Sequence, residues 1–549
     1  MNIRFKEIWG PLYLLISCAC FAQGPYIILG RPTDKSITAS VLFDQNASYF
    51  FEYGTQKGQY SAKSKTFEAI SKIPIQSELT DLLPNTRYYY RINYKTFAGN
   101  NTTGPESYFN TQRFKGIPFT FLVEADEHLY DKKGIVNMYQ QTLLNQAKDS
   151  ADFLISLGDI FGDDHTPNIT TSQDMEALHR DYIPFLATVC HSMPFYICLG
   201  NHEGENGYYL KQTPPNNIGV YGSLWRKYYY PNPFPNSFYS GNMVTEGYGI
   251  NLPENYYAWT WGDALFVVLD VYRHVDINEK PQNWDWTLGK FQYDWFKQTL
   301  ESSKSKYKFV FAHHTRGQGR GGVITAKGYE WGGYSGNTAT NYQFDLYRPG
   351  WGKPIHQIMI DNKVNIFFQG HDHLFAFEKL DGMVYQEVPM PSDSTYEIGV
   401  LANADAYTDI VKDGTGHLRV RVGTENARVE FVRAYLPKDT VRGIHKNREV
   451  AYSYTVTGTG TTPQTDILKS GFIALYPNPA KNKIIFNTNE KFRIYNLSII
   501  DLHGRFLYTN LNQTQSILEI DVSHIPTGIY TVRIQDHVNT YLKKVCISR

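Results

Sequence analysis

The sequence predicts a three-part chain, with an α/β domain in the middle and a small β-sandwich on either side. Three observations predict it. From about residue 114 to residue 456, apolar strand-like runs alternate with helical stretches, the grammar of layered α/β domains. From residue 25 to about 113, and again over 471–549, the runs are short, alternate apolar with polar residues and are separated by turn clusters. At 549 residues the chain is long enough for three to four domains. Its 53 Lys and Arg are balanced by 53 Asp and Glu, so it lacks both the basic excess of a nucleic-acid binder and the net charge of a disordered chain. No nucleic-acid partner is expected. Hydrophobic residues at 42% supply material for cores, and aromatics at 15% against 19% charged residues suit a β-rich, extracytoplasmic protein.

Taken in order, residues 1–22 carry Arg4 and Lys6, then an apolar run over 12–22 ending in Cys20-Phe21-Ala22, which is the layout of a secretory signal peptide. Within it, Leu15-Ile16-Ser17-Cys18 resembles a lipoprotein box, the alternative that would tether the chain by lipid. No later apolar stretch reaches the roughly 18 residues that span a bilayer. An exported protein, secreted or held at the cell surface without a transmembrane segment, is expected. Removing residues 1–22 leaves Cys190, Cys198 and Cys546, an odd set that excludes a disulfide scaffold. Cys190 and Cys198 are expected as buried thiols or as one bridge.

Residues 23–113 form the first sandwich, with strands expected over 36–43 and 88–92. Leu83-Pro84-Asn85-Thr86-Arg87-Tyr88 resembles the corner of fibronectin III-like sandwiches, where a Tyr hydroxyl ties back to nearby backbone. In the middle domain, 114–456, helices are expected over 138–150 and 291–302. Buried strands are expected over 119–123, 153–157, 195–199, 264–269, 308–312 and 364–368. The insert 204–254, rich in Tyr, Asn, Pro and Gly, is read as loops over a site rather than as core. Residues 457–470, opening Thr-Gly-Thr-Gly-Thr-Thr-Pro, read as a linker. Residues 471–549 resemble the C-terminal sorting domains of type IX secretion substrates in Bacteroidetes. The matching residues are Leu475-Tyr476-Pro477-Asn478-Pro479, Asp501-Leu502-His503-Gly504-Arg505, Pro526-Thr527-Gly528-Ile529-Tyr530 and Lys543-Lys544-Val545. The resemblance implies the type IX secretion machinery as a partner. The competing reading is a small carbohydrate-binding or Ig-like sandwich.

Chemistry gathers where the middle strands end. The first expected strand runs into Asp126-Glu127-His128 and the second into Gly158-Asp159. The third runs into Gly200-Asn201-His202-Glu203, a later one into His313-His314, and the last into Gly370-His371-Asp372-His373. Carboxyl ends of strands are where open α/β sheets bind ligands. Carboxylate oxygen, amide oxygen and imidazole nitrogen together suit divalent metals. The glycines turn the backbone sharply and leave room beside it.

On these motifs the chain resembles the calcineurin-like metallophosphoesterases and, with its leading sandwich, the purple acid phosphatases. The resemblance implies a four-layer β-sandwich flanked by helices, and two metal ions of Fe, Zn or Mn. Asp126, His128, Asp159 and His373 would hold the first ion; Asp159 would bridge to a second held by Asn201, His313 and His371. It also implies phosphomonoester hydrolysis by in-line attack of a hydroxide shared by cations about 3.5–4 Å apart. His202 would assist the leaving group, with Glu203 fixing its tautomer. His314, Arg316 and Arg320 are the candidate contacts to a small phosphate-ester substrate. One departure stands out: purple acid phosphatases carry a Tyr three residues after the bridging Asp, where this chain has Gly162, while His128 adds a group they lack. A dinuclear site without the purple chromophore is therefore expected. Asp163 and Asp164 read as a solvated loop. Two other functions compete: a phosphodiesterase or nucleotidase of the same fold, and an inactive cell-surface glycan-binding or adhesion protein.

Overall fold

The computed structural model describes residues 24–548 apart from 97–98, 100, 130–133, 162–168, 277–282, 316–319, 399–403, 441–442, 444, 459–472, 489–493, 502–505, 514–516 and 536–539. Residues 1–22, expected as a signal peptide, most of residues 457–470, expected as a linker, and Gly162, Asp163, Asp164 and Arg316 lie outside the described residues.

Two mixed sheets make the middle of the molecule. One has six strands in the order Phe195–Ile197, Phe153–Ser156, Phe119–Glu124, Gly416–Val422, Asn426–Arg433, Val450–Thr457. The other has eight, with Ala264–Val268, Tyr307–Phe311 and Ile366–Gln369 adjacent and parallel at its centre. Strand periodicity explains the layering. Phe119, Phe121, Phe153, Ile155, Phe266, Phe309, Phe311 and Phe368 point between the sheets and share one core. Their neighbours Leu122, Leu154 and Ile197 point outward under the helices Val136–Ala147 and Ser172–Cys190. Leu265, Val310 and Phe367 likewise face Lys290–Ser302 and Ile355–Asp361. The result is the four-layer sandwich, helices outside and sheets within. Both faces of these strands are buried, so each reads as a nearly continuous apolar run.

Some expectations shift. The helix expected over 138–150 is Val136–Ala147, stopping before Ser150, whose φ of 51° breaks helical geometry. Ser172–Cys190 starts at a capping box in which Thr171 and Asp174 each satisfy the other's backbone N–H. The insert 204–254 is not merely looped cover. It contains the helix Ile218–Tyr229, and its Glu205 pairs with Arg226 and, beyond the insert, with Arg273, all three buried. An ion pair satisfied internally lets polar sequence sit inside the fold. Cys190 and Cys198 are both buried free thiols, so no bridge joins them.

The first eighty or so described residues form a three-stranded sheet (Tyr26–Gly30, Ile37–Leu42, Ile75–Leu79) over a six-stranded one centred on Ala47–Gly54 and Arg87–Thr96, around one core. The corner motif is formed: Leu83 N–H donates to the Tyr88 hydroxyl at 2.9 Å. Asp152 locks this sandwich to the middle domain, accepting from Arg113, Asn110 and Trp261. Beyond residue 472, a three-stranded and a four-stranded sheet enclose a separate core. Among the described residues, no helix is long and apolar enough to cross a membrane.

Candidate metal centre

Parallel pairing puts the carboxyl ends of Phe119–Glu124, Phe153–Ser156 and Phe195–Ile197 on one edge. Those of Tyr307–Phe311 and Ile366–Gln369 align in the facing sheet. The turns leaving these strands are tight. Asp126, His128, Asp159, His371 and His373 all have positive φ, between 37° and 77°. Non-glycine residues held there cost of order 1–3 kcal/mol each and cluster at functional sites. Gly158, at φ 100°, makes the turn into Asp159, and a Cβ on it would lie 2.3 Å from the Gly200 nitrogen.

Donor atoms converge around Asp159. Its Oδ2 lies 3.2 Å from His313 Nε2, 3.4 Å from His128 Nε2 and 3.8 Å from His202 Nε2. Asp126 Oδ1 lies 3.5 Å from His373 Nε2, 3.9 Å from His313 Nε2 and 4.0 Å from His128 Nε2. His313 Nε2 is 3.3 Å from His371 Nδ1. Three sets of side chains each bring one ligand atom per residue within 4.8 Å of the others: Asp126, His128 and His373; His128, Asp159 and His202; Asp159, His313 and His371. Asp126 and His371 meet directly, the His371 N–H donating to Asp126 Oδ2 at 2.8 Å. Asn201 is half-buried on the same side; its Oδ1 accepts from Tyr272 O–H at 3.3 Å, and the Tyr272 ring packs on His313.

Electrostatics sharpen the picture. Burial pushes the Asp159 carboxyl up, but His313 and His202 outweigh it and hold it well below the usual carboxylate range. For Asp126 burial wins, and its pKa is raised. Burial lowers His313, yet Asp159 and Asp126 reverse that and raise it. Burial, helped by neighbouring imidazoles, keeps His371 and His373 neutral, with lone pairs to give. Asp126 Oδ1 is buried with no hydrogen-bond donor among the described residues. Carboxylate oxygens and imidazole nitrogens brought this close together are a donor set that suits cations. His313 is oriented for this by its Nδ1–H, which donates to the Leu157 carbonyl at 2.9 Å.

Not every expected contact forms. Glu203 does not touch His202. Its carboxylate accepts the backbone N–H groups of Asp159, Ile160, Phe161 and Gly200, pinning together the two turns that carry Asp159 and Asn201. A carboxylate is acceptor-only, so several converging donors suit it better than an imidazole would. Glu203→Gln would turn an NH₂ toward those donors. We expect it to cost roughly 2–3 kcal/mol of stability, read as a lowered denaturation midpoint, together with slower turnover. His314 does not reach open solvent either; it is fully buried, its ring 5.1 Å from that of His371. Arg320 lies beside the cluster, donating to the His371 carbonyl and to Asp372.

Sequence reasoning missed Tyr272 and Asp372. Tyr272 had a signal, since it follows the apolar strand Ala264–Val268 as the other site residues follow theirs. Asp372 stood inside a quoted motif, but its partners Gly321 and Tyr407 are distant in sequence.

Comparison with known proteins agrees with this geometry. Residues 119–375 match the calcineurin-like phosphoesterase family, and residues 474–548 match the secretion system C-terminal sorting domain. No curated protein matches the chain. Among solved structures it is similar to PhoD, at 16% identity over 90% of this chain and 94% of that one, with a TM-score of 0.54. It is also similar to the purple acid phosphatase PPD1 of yellow lupin (Lupinus luteus) seeds. There the identity is 15% over 79% of this chain and 74% of that one, with a TM-score of 0.52. At these identities the likeness is one of fold.

Proposed function

From the premise that residues 119–375 are a calcineurin-like phosphoesterase domain and residues 474–548 a secretion system sorting domain, we propose an exported, dinuclear-metal phosphatase acting on phosphomonoesters. The observation that carries this reading is the convergence of the two carboxylates of Asp126 and Asp159 with five imidazoles, Asp126 Oδ1 lacking any hydrogen-bond donor among the described residues. Asp126, His128, Asp159 and His373 would hold one ion, and Asp159, Asn201, His313 and His371 the other. Iron, zinc and manganese all suit such oxygen and nitrogen donors. When bound, the ions supply Lewis acidity, acidifying water and neutralising phosphoryl oxygens.

The chain's own residues do the rest. The Asp159 carboxylate, kept ionised, lies within reach of both donor sets. Tyr272 holds the Asn201 amide oxygen in place, and Asn206 holds its carbonyl. His202 is fixed by its backbone N–H on Asp159 Oδ1 at 2.9 Å, and its imidazole, with Nε2 3.8 Å from Asp159 Oδ2, would donate a proton to the departing ester oxygen. His202→Ala is expected to keep its metal and lose turnover by about 10²–10⁴-fold. Metal loss in that variant would make His202 a ligand instead. Export through the type IX machinery, after removal of residues 1–22, completes the proposal; finding the protein outside the cell only while residues 471–549 are present tests it. Elemental analysis of the purified chain with a panel of phosphate esters tests the whole. Fewer than about one metal per chain and no ester hydrolysis would leave the glycan-binding reading in its place.

A further inference from the structure

Behind the imidazole cluster lies a buried constellation that none of these steps uses. Asp372, between His371 and His373, is 0% exposed. Its Oδ2 accepts the Tyr407 O–H at 2.6 Å and the Gly321 N–H at 2.8 Å, while Oδ1 accepts Arg320 Nη1 at 2.9 Å. Glu387 holds its backbone N–H at 3.1 Å. Glu378 repeats the pattern nearby, accepting the Val323 and Thr408 N–H groups at 2.9 Å each. Two buried carboxylates thus tie the same two segments, 320–323 and 407–408, to the chain that leaves His371. The join is close: a Cβ on Gly321, at φ 98°, would sit 3.0 Å from the Ala406 Cβ.

This clasp seats Arg320. One guanidinium nitrogen, Nη1, is spent on Asp372 and the His371 carbonyl. Nε and Nη2 form no hydrogen bond among the described residues, and the side chain is 30% exposed. A guanidinium anchored at one corner presents the rest of its planar fork outward.

We infer that Arg320 selects phosphomonoesters over phosphodiesters, and that Asp372 and Tyr407 are the positioning residues that hold it to that task. The inference rests on the phosphatase reading above. A monoester carries three unesterified oxygens and a second negative charge. With bound cations to neutralise two of those oxygens, the third, still charged, would meet the Arg320 guanidinium. In a diester that third oxygen bears an organic group, which gains nothing from a fixed cation.

The test uses the full-length, metal-loaded protein, an aryl phosphomonoester, a bis-aryl phosphodiester, and inorganic phosphate as inhibitor. Arg320→Ala is expected to lower kcat/KM for the monoester about 100-fold and to weaken phosphate inhibition about tenfold. The diester rate changes less than about threefold and the metal content stays the same. Arg320→Lys recovers part of the monoester rate. Tyr407→Phe lowers the monoester-to-diester ratio about fivefold through KM, and has no further effect once Arg320 is Ala. Equal losses on both esters, or a Tyr407→Phe effect that adds in full to Arg320→Ala, overturn the inference while leaving the phosphatase reading intact. If the unaltered protein hydrolyses neither ester, the phosphatase reading falls. Phosphate titration of the metal-loaded protein then decides on Arg320, and unchanged affinity in Arg320→Ala overturns its role. Should Tyr407→Phe not fold, the two Arg320 variants carry the comparison alone.

Discussion

Asp159→Asn is expected to abolish phosphate-ester turnover, by at least about three orders of magnitude, while the protein stays folded. The side chain keeps its shape, and its Oδ1 can still accept the His202 N–H. What it loses is the charge on Oδ2, the atom within 3.2–3.8 Å of three imidazoles. An amide NH₂ there points protons at nitrogens that need their lone pairs for metal. Metal content per chain should fall with the rate. The denaturation midpoint of the metal-free protein should fall, because His313 and His202 stabilise the ionised Asp159 in the fold and the amide leaves the buried His313 without that partner. Elemental analysis and turnover on one sample check both halves. Near-full activity in Asp159→Asn would mean that the ligand set is misassigned.

Gly200→Ala should be nearly as damaging, by a different route. A Cβ at residue 200 would lie 2.1 Å from Asp159 Oδ1 and 2.7 Å from the Asp159 nitrogen. Neither can retreat: the Glu203 carboxylate accepts the Asp159 N–H, and Asp159 Oδ1 accepts the His202 N–H. The clash must then move the turn that carries Asn201. We expect a loss of turnover of about 10²-fold, since small displacements of reacting groups cost that much. Overpacking adds roughly 1–3 kcal/mol of destabilisation. Gly247→Ala is the control, because a Cβ there meets nothing within 4 Å. If the two alanine variants behave alike, the close approach at residue 200 does not matter.

Much of this was legible in the chain before folding. Strands buried on both faces are mostly apolar, so Asp126, Asp159, Asn201 and His313 stood out as polar groups where apolar runs end. The choice between the adjacent His313 and His314 came from the family resemblance; in the structure His313 Nε2 lies 3.2 Å from Asp159 Oδ2, while the His314 ring packs beside that of His371. The insert 204–254 was misread for the converse reason. Its helix hides Arg226, whose partner Glu205 is 21 residues away. Composition records such charges without saying whom they meet.

Sequence by itself determined which residues lie at the sheet edge, since that follows from local periodicity and turn chemistry. Tertiary structure alone decided that Glu203 grips backbone rather than His202, that Tyr272 reaches Asn201, and that Tyr407 and Arg320 share Asp372. Those contacts join turns from different strands, and their distances are set by how two sheets pack against each other. Packing is a property of the whole core, and no short stretch of chain encodes it.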